Sequence, residues 1–178
     1  TSFIPKALFV RNDWLEELGL EVPTTYDEFI EVGQVLTRQG RSGFAFGANP
    51  RQPNQAEMLF QWMLEGFGAS VLDEHDNAVF NSEVGVRSFG LLRDLVYEHK
   101  IAPTSVVSMT YDDVTDAFES GRIGMIVEGS HRYGRIVEAL GSENVALARV
   151  PGPTESGSPS VITTWTLGIP RGSKNPEA

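Results

Sequence analysis

Short apolar runs alternate along this chain with longer segments whose apolar residues recur every three or four positions. Runs of the first kind are typical of buried strands, and periodic segments of the second kind are typical of amphipathic helices. Strands are predicted at residues 7–10, 43–46, 123–127, 145–148 and 162–169. Helices are predicted at residues 14–18, after Thr25, at 54–66, at 83–99, after Thr110 and at 131–140. This alternation predicts a layered α/β fold, with residues 1–178 forming a single domain.

Two of the predicted helices begin with a capping signature. Thr25 is followed three residues later by Glu28, and Thr110 by Asp113. In such a pair the hydroxyl accepts a bond from the first-turn backbone, and the carboxylate accepts one from the capping residue's N–H. In the helix predicted at 83–99, the apolar periodicity places Phe89 on the buried face.

The strand predicted at 123–127 leads through a Gly-Ser pair into the start of another helix. In open α/β sheets, ligands bind beyond the carboxyl ends of strands, where a helix start presents free backbone N–H groups. Glu128, His131 and Arg132 lie at this junction and are candidate ligand-binding residues. For His131 and Arg132, a solvated pair of loop side chains is the alternative interpretation.

Met58 and Trp62 lie on the helix predicted at 54–66, roughly opposite its apolar stripe. A helix normally carries polar groups on that face. A methionine and a tryptophan there require a partner, which is either a second layer of the protein or a bound ligand. Both residues are therefore candidates for ligand contact, and packing against another element stays open.

Trp165 interrupts a threonine-rich strand near the end of the chain. It packs either into the core or against a ligand. A tryptophan combines a flat apolar face with a polar N–H, which suits the mixed surface of a sugar. Aromatic walls with a few polar groups are the usual composition of a small-ligand cleft.

The net charge of the chain limits the kinds of partner that it is expected to bind. The chain has 178 residues, a net charge of −10 and no cysteine. A basic face is needed to bind phosphates, so nucleic acid is not an expected partner, and anionic membrane surfaces are disfavoured. The abrupt start before an apolar strand, and an ending that resembles an unfinished helix, lead us to expect a domain excised from a longer protein.

Nothing in the sequence nominates catalysis. No two of the three histidines have the helical spacing of a zinc pair, and no Gly-x-Ser-x-Gly nucleophile elbow is present. Adjacent acids such as Asp112 and Asp113 do not face each other on a helix. We therefore predict no catalytic residue, no metal site and no cofactor. An α/β hydrolase or transferase domain and a ligand-sensing domain are the alternatives to a binding protein.

Four segments, taken in order, resemble the extracellular solute-binding protein family 1, the sugar-type receptors of ABC importers. They are residues 12–29, beginning Asn-Asp-Trp-Leu, 68–73, which match a Gly-Gly-x-x-x-Asp hairpin, 117–129, which match Ala-Phe-x-x-Gly-x-x-x-Met-x-x-x-Gly, and 169–178, which match Ile-x-x-x-Ser-Lys-Asn-Pro-Glu-Ala. Residues 11–15, Arg-Asn-Asp-Trp-Leu, most resemble the lipoprotein-anchored branch of the family. In relatives, an aromatic residue at the position of His131 commonly stacks on sugar.

The resemblance implies a periplasmic-binding-protein type II lobe with a central mixed sheet flanked by helices. We expect the C-terminal lobe of a two-lobed, extracytoplasmic receptor, either periplasmic or anchored to the membrane as a lipoprotein. The expected partners are a carbohydrate, with an oligosaccharide favoured, the permease of the importer, and the protein's own N-terminal lobe. Trp62 and Trp165 border the ligand cleft in relatives, so the resemblance adds to their candidacy.

Overall fold

A computed structural model describes residues 2–38 and 40–174. The elements are β1 (Ser2–Arg11), α1 (Asn12–Leu18), α2 (Tyr26–Leu36), β2 (Ser42–Phe44), α3 (Asn54–Gly66), α4 (Glu83–Tyr97), α5 (Tyr111–Glu119), β3 (Ile123–Gly129), α6 (Tyr133–Leu140), β4 (Val145–Ala148) and β5 (Ile162–Trp165). Short 3-10 turns occupy Thr104–Ser108, Ser130–Arg132 and Ser142–Asn144. Every predicted helix and strand is present. The last strand ends at Trp165 rather than at residue 169, and the helix start expected after Ser173 lies mostly outside the described residues.

The sheet is mixed, and its strand order is β2-β3-β1-β4. β2 runs parallel to β3, whereas β1 is antiparallel to both β3 and β4. Leu8 lies opposite Val127 on one side and opposite Ala148 on the other. The N-terminal half of β1 pairs instead with β5, with Ser2 opposite Trp165. β1 therefore belongs to the central sheet and also to a two-stranded arm, which we define as residues 2–5 with 162–165.

Helices cover the central sheet and bury it. Every residue of β3 is buried, and Leu8, Phe9 and Val10 of β1 have no exposed surface. Phe29 of α2 makes an edge-to-face contact with Phe44 of β2, at a centroid distance of 5.0 Å. A strand that is covered on both faces reads as a continuous apolar run, which explains why β3 was identified from the sequence. No helix in residues 2–38 and 40–174 has the length and apolarity required to cross a membrane.

Both capping boxes form as the sequence predicts. The Glu28 backbone N–H donates to Thr25 Oγ1 at 3.1 Å, and Glu28 Oε2 accepts from the Thr25 N–H at 3.1 Å. The same reciprocal pair joins Thr110 and Asp113 at the start of α5. These bonds satisfy N–H groups that would otherwise lack a partner at the two helix starts.

The prediction that Phe89 faces the core is wrong. Its side chain is 64% exposed, because Gly85 and Ser88 occupy buried positions of α4 and turn the phenylalanine aside. Phe89 instead contacts Phe60 of α3 at a centroid distance of 6.4 Å, and Phe60 contacts Phe80 at 6.3 Å. These rings form a satellite cluster between α3 and the loop that precedes α4.

Replacing Gly43 by alanine is expected to lower the free energy of unfolding by roughly 2 kcal/mol, since overfilling a packed core costs about 1–3 kcal/mol. A Cβ at Gly43 would lie 1.9 Å from the backbone oxygen of Gly33, so β2 and α2 would have to separate. Gly90 on α4 is the control, because its Cβ would meet nothing within 4 Å. Gly90→Ala should stabilise by about 0.5–1 kcal/mol through helix propensity. Urea unfolding measures both variants, and equal stabilities would contradict the predicted close approach.

Candidate functional site

The carboxyl end of β3 carries three of the candidate residues, Glu128, His131 and Arg132. β3 ends at Gly129, opposite Lys6 of β1, and the 3-10 turn Ser130–Arg132 connects it to α6. The two-stranded arm begins at this same edge, since β1 continues from Lys6 towards its pairing with β5. Side chains from α3 and α5 reach the same edge. One end of the sheet therefore gathers polar groups from several distant parts of the chain.

Glu128 is the most deeply buried of the candidates, with 0% of its surface exposed. Its Oε1 accepts a hydrogen bond from Gln55 Nε2 at 3.0 Å, and its Oε2 accepts one from the backbone N–H of Gly129 at 3.3 Å. A side chain covered in this way does not reach a ligand on the surface. The prediction that Glu128 contacts the ligand is therefore corrected: the carboxylate lies beneath the site.

Lys6 and Tyr111 complete this buried cluster. Lys6 Nζ donates to the Tyr111 hydroxyl at 2.6 Å and lies 4.9 Å from the centre of its ring. The Gly129 N–H also donates to the Tyr111 hydroxyl, at 3.3 Å, and this hydroxyl bonds to Glu128. Lys6 is itself only 8% exposed. We call Lys6, Gln55, Tyr111 and Glu128 the buried polar cluster.

The sequence analysis did not identify Lys6 and Tyr111 as site residues. One signal was available for Lys6, because a lysine directly before the apolar run 7–10 is unusual unless the lysine is paired. Tyr111 carried no comparable signal, because a tyrosine in the first turn of a helix is unremarkable. The contact between them joins residues that are 105 positions apart, so no local pattern reports it.

Burial sets the protonation of this cluster. Removal from water raises the pKa of Glu128 to about 7, while the Tyr111 hydrogen bond and the charges of Lys6 and Arg132 oppose the rise. Burial also raises the pKa of Tyr111, with a further rise from the Glu128 charge. The pKa of Lys6 is lowered by burial, and the Glu128 carboxylate counteracts that change. Glu128 is therefore the group in the cluster that changes charge near neutral pH.

His131 packs directly over the end of β3. A Cβ at Gly129 would lie 2.5 Å from His131 Nδ1 and 2.8 Å from Ile4 Cγ2, so only glycine allows this contact. Desolvation lowers the pKa of His131, and the positive charges of Arg132 and Lys6 lower it further. The imidazole is therefore uncharged at neutral pH, and its exposed edge can donate or accept a hydrogen bond.

Arg132 lies against Tyr111, on the outer side of the buried polar cluster. Its guanidinium carbon is 5.2 Å from the centre of the Tyr111 ring, and its Nη2 is paired with the carboxylate of Asp112. Lys6 and Arg132 thus both lie within cation–π distance of the same ring. Tyr111 is thereby the link between the buried cluster and the surface turn.

Met58 and Trp165 lie on the surface formed by the two-stranded arm and α3. The Thr163 hydroxyl donates to Met58 Sδ at 3.6 Å, and Thr163 lies opposite Ile4 in the arm. Trp165 shares a strand face with Thr163, since side chains alternate along β5. Trp165 is 72% exposed, so the alternative in which it packs into the core is wrong for the described residues. We call Met58, His131, Thr163 and Trp165 the aromatic face.

Trp62 is buried instead of facing this surface. It is 1% exposed, and its indole N–H donates to the Pro151 backbone oxygen at 2.7 Å. Its ring makes edge-to-face contacts with Tyr26 at 5.7 Å and with Phe29 at 6.0 Å. Of the two alternatives considered for Trp62, packing against another element is the one observed, and ligand contact by Trp62 is corrected.

The resulting surface combines an exposed indole, a thioether, an imidazole and hydroxyl groups, with a guanidinium at its edge. Such groups can stack on a ligand and hydrogen-bond to it without reacting with it. Within residues 2–38 and 40–174, no group of three or more histidine, aspartate or glutamate side chains is arranged to hold a metal ion. The geometry is that of a binding surface.

Known proteins resemble this chain along nearly its whole length. The family described as bacterial extracellular solute-binding protein matches residues 2–178. A protein of Brucella abortus (strain 2308), described as a binding protein, is 20% identical over 174 residues, which are 97% of this chain and 42% of the relative.

Two solved structures share the fold. The maltose-bound MalE3 of T. maritima superimposes with a TM-score of 0.80 at 24% identity, over 90% of this chain and 41% of that protein. The GacH receptor of Streptomyces glaucescens, solved unliganded and in complex with acarbose, gives a TM-score of 0.77 at 28% identity, over 97% of this chain and 44% of the receptor. The predicted periplasmic-binding-protein type II fold, with its central mixed sheet, is confirmed. The chain spans about two fifths of the length of these proteins.

Proposed function

The chain belongs to the bacterial extracellular solute-binding protein family, whose members are binding proteins and not enzymes, and on that premise we propose that it binds carbohydrate for an ABC importer. The observation that carries the proposal is the exposed indole of Trp165, on the strand face whose Thr163 hydroxyl contacts Met58, with His131 packed where the two-stranded arm begins. The maltose bound to MalE3 of T. maritima and the acarbose bound to GacH support a sugar as the ligand. An oligosaccharide is favoured, because acarbose and maltose each contain more than one ring.

We further propose that the chain is the C-terminal lobe of a two-lobed receptor. The chain matches about two fifths of the length of its relatives, which leaves room for a second lobe. The aromatic face, with Arg132 at its edge, would form one wall of the cleft, and the N-terminal lobe would supply the other. A ligand that touches both lobes favours the closed state over the open one. The closed receptor would then present the sugar to the permease.

The proposed location is extracytoplasmic. The family to which the chain belongs is extracellular, and capture of a sugar for an importer has to occur outside the cytoplasmic membrane. Within that location, we propose attachment to the membrane as a lipoprotein. The sequence of residues 11–15, Arg-Asn-Asp-Trp-Leu, supports this, because it resembles most the lipoprotein-anchored branch of the family.

A thermal-shift screen of the full-length protein against mono- and oligosaccharides, with sugar alcohols included, tests this proposal. A ligand that binds only the folded form raises its melting temperature, by an amount that grows with its concentration relative to Kd. A concentration-dependent rise with one sugar would support the proposal and identify the ligand class. An unchanged melting temperature across the whole panel would contradict carbohydrate binding.

Trp165→Ala is expected to weaken sugar binding about fivefold or more, which corresponds to at least about 1 kcal/mol of lost aromatic contact. Isothermal titration calorimetry of the full-length protein with the best sugar from the screen measures this change. Phe3→Ala is a matched control, because Phe3 is 71% exposed in the same arm but lies on the opposite strand face from Ile4 and Thr163. Equal affinities for the two variants would remove Trp165 from the site.

A further inference from the structure

The buried polar cluster is not accounted for by ligand contact. Glu128 is fully buried in the central sheet, yet its carboxylate has polar partners from α3 and α5 and a cation from β1 nearby. Burying a carboxylate is unfavourable unless hydrogen bonds and opposite charges compensate it. Well-packed apolar side chains would fill the same volume without that penalty. The position of the cluster, directly beneath the turn that carries His131 and Arg132, indicates what it does.

The first connection runs through the backbone of Gly129. Its N–H is shared between Glu128 Oε2 and the Tyr111 hydroxyl, at 3.3 Å from each. Gly129 is the last residue of β3, and the 3-10 turn starts at the next residue. His131 packs directly on its Cα, where no Cβ intervenes. A shift of this peptide therefore moves the imidazole of the aromatic face.

The second connection runs through Tyr111. Its hydroxyl bonds to Glu128 and accepts from Lys6, while its ring lies under the guanidinium of Arg132. Asp112, the next residue along α5, pairs with Arg132. At the start of α5, Asp112 thus pairs with Arg132 at the surface, while the neighbouring Tyr111 lies beside Glu128 in the interior. His131 and Arg132, which both lie in the surface turn, are therefore coupled to the buried carboxylate of Glu128.

We propose that Glu128 is a positioning residue, which holds the turn Ser130–Arg132 in its ligand-binding conformation through Gly129 and Tyr111 while its carboxylate is ionised. The inference rests on the proposed function, because it assigns that turn to the ligand site. It goes further, because ligand affinity then depends on the protonation of Glu128, a buried residue that does not contact the ligand.

The hydrogen-bond count explains why the proton matters. The ionised carboxylate accepts from Gln55 and Gly129, and the Tyr111 hydroxyl faces it as a further donor. A protonated Glu128 carries an O–H that needs a hydrogen-bond acceptor. Gln55 Oε1 already accepts from the Gly47 N–H, and the Tyr111 hydroxyl already accepts two hydrogen bonds. One of these bonds is then lost, and the turn is released when the lost bond is the one from the Gly129 N–H to Oε2.

Charged groups facing Glu128 come from each neighbouring element. Lys6 approaches from β1, Arg132 from the surface turn and the Tyr111 hydroxyl from α5, while α3 contributes the neutral amide of Gln55. Burial raises the pKa of Glu128 to about 7 against these cations, so the proton is exchanged near neutral pH. His131, the other titratable group at the turn, has a pKa that is lowered by desolvation, so it gains its charge only at a lower pH than Glu128 takes up its proton.

The first test uses nuclear magnetic resonance of the full-length protein and needs no ligand. The Gly129 amide should change chemical shift with a midpoint near pH 7, whereas the His131 ring should show its own titration at lower pH. Glu128→Gln should abolish the Gly129 transition, since its amide cannot titrate, and Glu138→Gln, an exposed glutamate on α6, should retain it. A Gly129 amide that stays constant between pH 5.5 and 8.5, or a transition retained in Glu128→Gln, would overturn the inference.

The second test measures maltose binding by calorimetry at pH 5.5, 7 and 8.5, since maltose itself does not titrate in this range. We expect affinity to fall at least threefold from pH 8.5 to 5.5, and to be low and flat in Glu128→Gln, where glutamine mimics the protonated acid. A dependence that originates from His131 would persist in that variant and contradict the inference, as would equal affinities at all three pH values. If maltose binds at no pH, the proposed function loses support, and the resonance experiment decides the positioning role.

Discussion

Trp62→Ala is expected to lower the free energy of unfolding by about 4 kcal/mol, because truncating a large buried aromatic residue costs about 3–5 kcal/mol. Trp62 is 1% exposed, and its ring contacts Tyr26 and Phe29 edge-to-face. Its indole N–H is also bonded to the Pro151 carbonyl at 2.7 Å. Alanine leaves a cavity between α3, α2 and the loop after β4, and it leaves that carbonyl without its donor.

Equilibrium urea unfolding of the full-length protein, followed by circular dichroism, measures this loss. Trp165→Ala is the matched control, because it removes the same side chain from an exposed position and should change stability by no more than about 0.5 kcal/mol. Trp62→Phe separates the hydrogen bond from the packing, since phenylalanine fills most of the volume without an N–H. Equal losses in the two alanine variants would contradict the assignment of Trp62 to the core.

The sequence predicted the elements well because their signals are local. A threonine three residues before an acid is read within one turn, and both helix starts formed as predicted, at Thr25 and Thr110. A fully buried strand such as β3 is a continuous apolar run wherever it lies in a domain. The length of β5 was overestimated, since its alternating pattern continues past Trp165, where pairing with β1 ends.

Trp62 shows the limit of sequence reasoning. It lies off the apolar stripe of α3, which left both packing against another element and ligand contact open, and α3 is buried on more than one side. Its buried residues include Gln55 and Trp62, because β3 contacts Gln55 and α2 packs on Trp62, while α4 also packs against α3. The number of elements that pack against a helix depends on the tertiary fold, and the periodicity of the helix sequence does not reveal it.

The family could be recognised from the sequence although its relatives are distant. Identity to the matched proteins is 20–28%, yet the family matches residues 2–178. The resemblance was carried by four segments that are each local in the sequence. The buried polar cluster is different in kind. Lys6, Gln55, Tyr111 and Glu128 come from four elements and meet only when the sheet and helices are assembled.

Glu128→Gln is expected to flatten the pH dependence of stability, by about 3 kcal/mol between pH 4.5 and 8. The ordinary pKa of a glutamate is 4.5, and burial raises that of Glu128 to about 7 in the folded protein. Between these values the folded state keeps a proton that the unfolded state has released, so the unfolding free energy falls as pH rises. A rise in pKa of this size corresponds to about 3 kcal/mol, at about 1.4 kcal/mol for each tenfold change.

Urea unfolding at half-unit intervals of pH, for the wild type and for Glu128→Gln, isolates this contribution, because the remaining titratable side chains are identical in the two proteins. The difference between their unfolding free energies should be steepest between pH 5 and 7 and level above pH 8. Glu138→Gln should follow the wild-type curve, since this glutamate is exposed. Parallel curves for the wild type and Glu128→Gln would mean that Glu128 stays ionised throughout. The carboxylate would then act as a permanent charge held by Lys6 and Tyr111, and the turn beneath the ligand would not respond to protons.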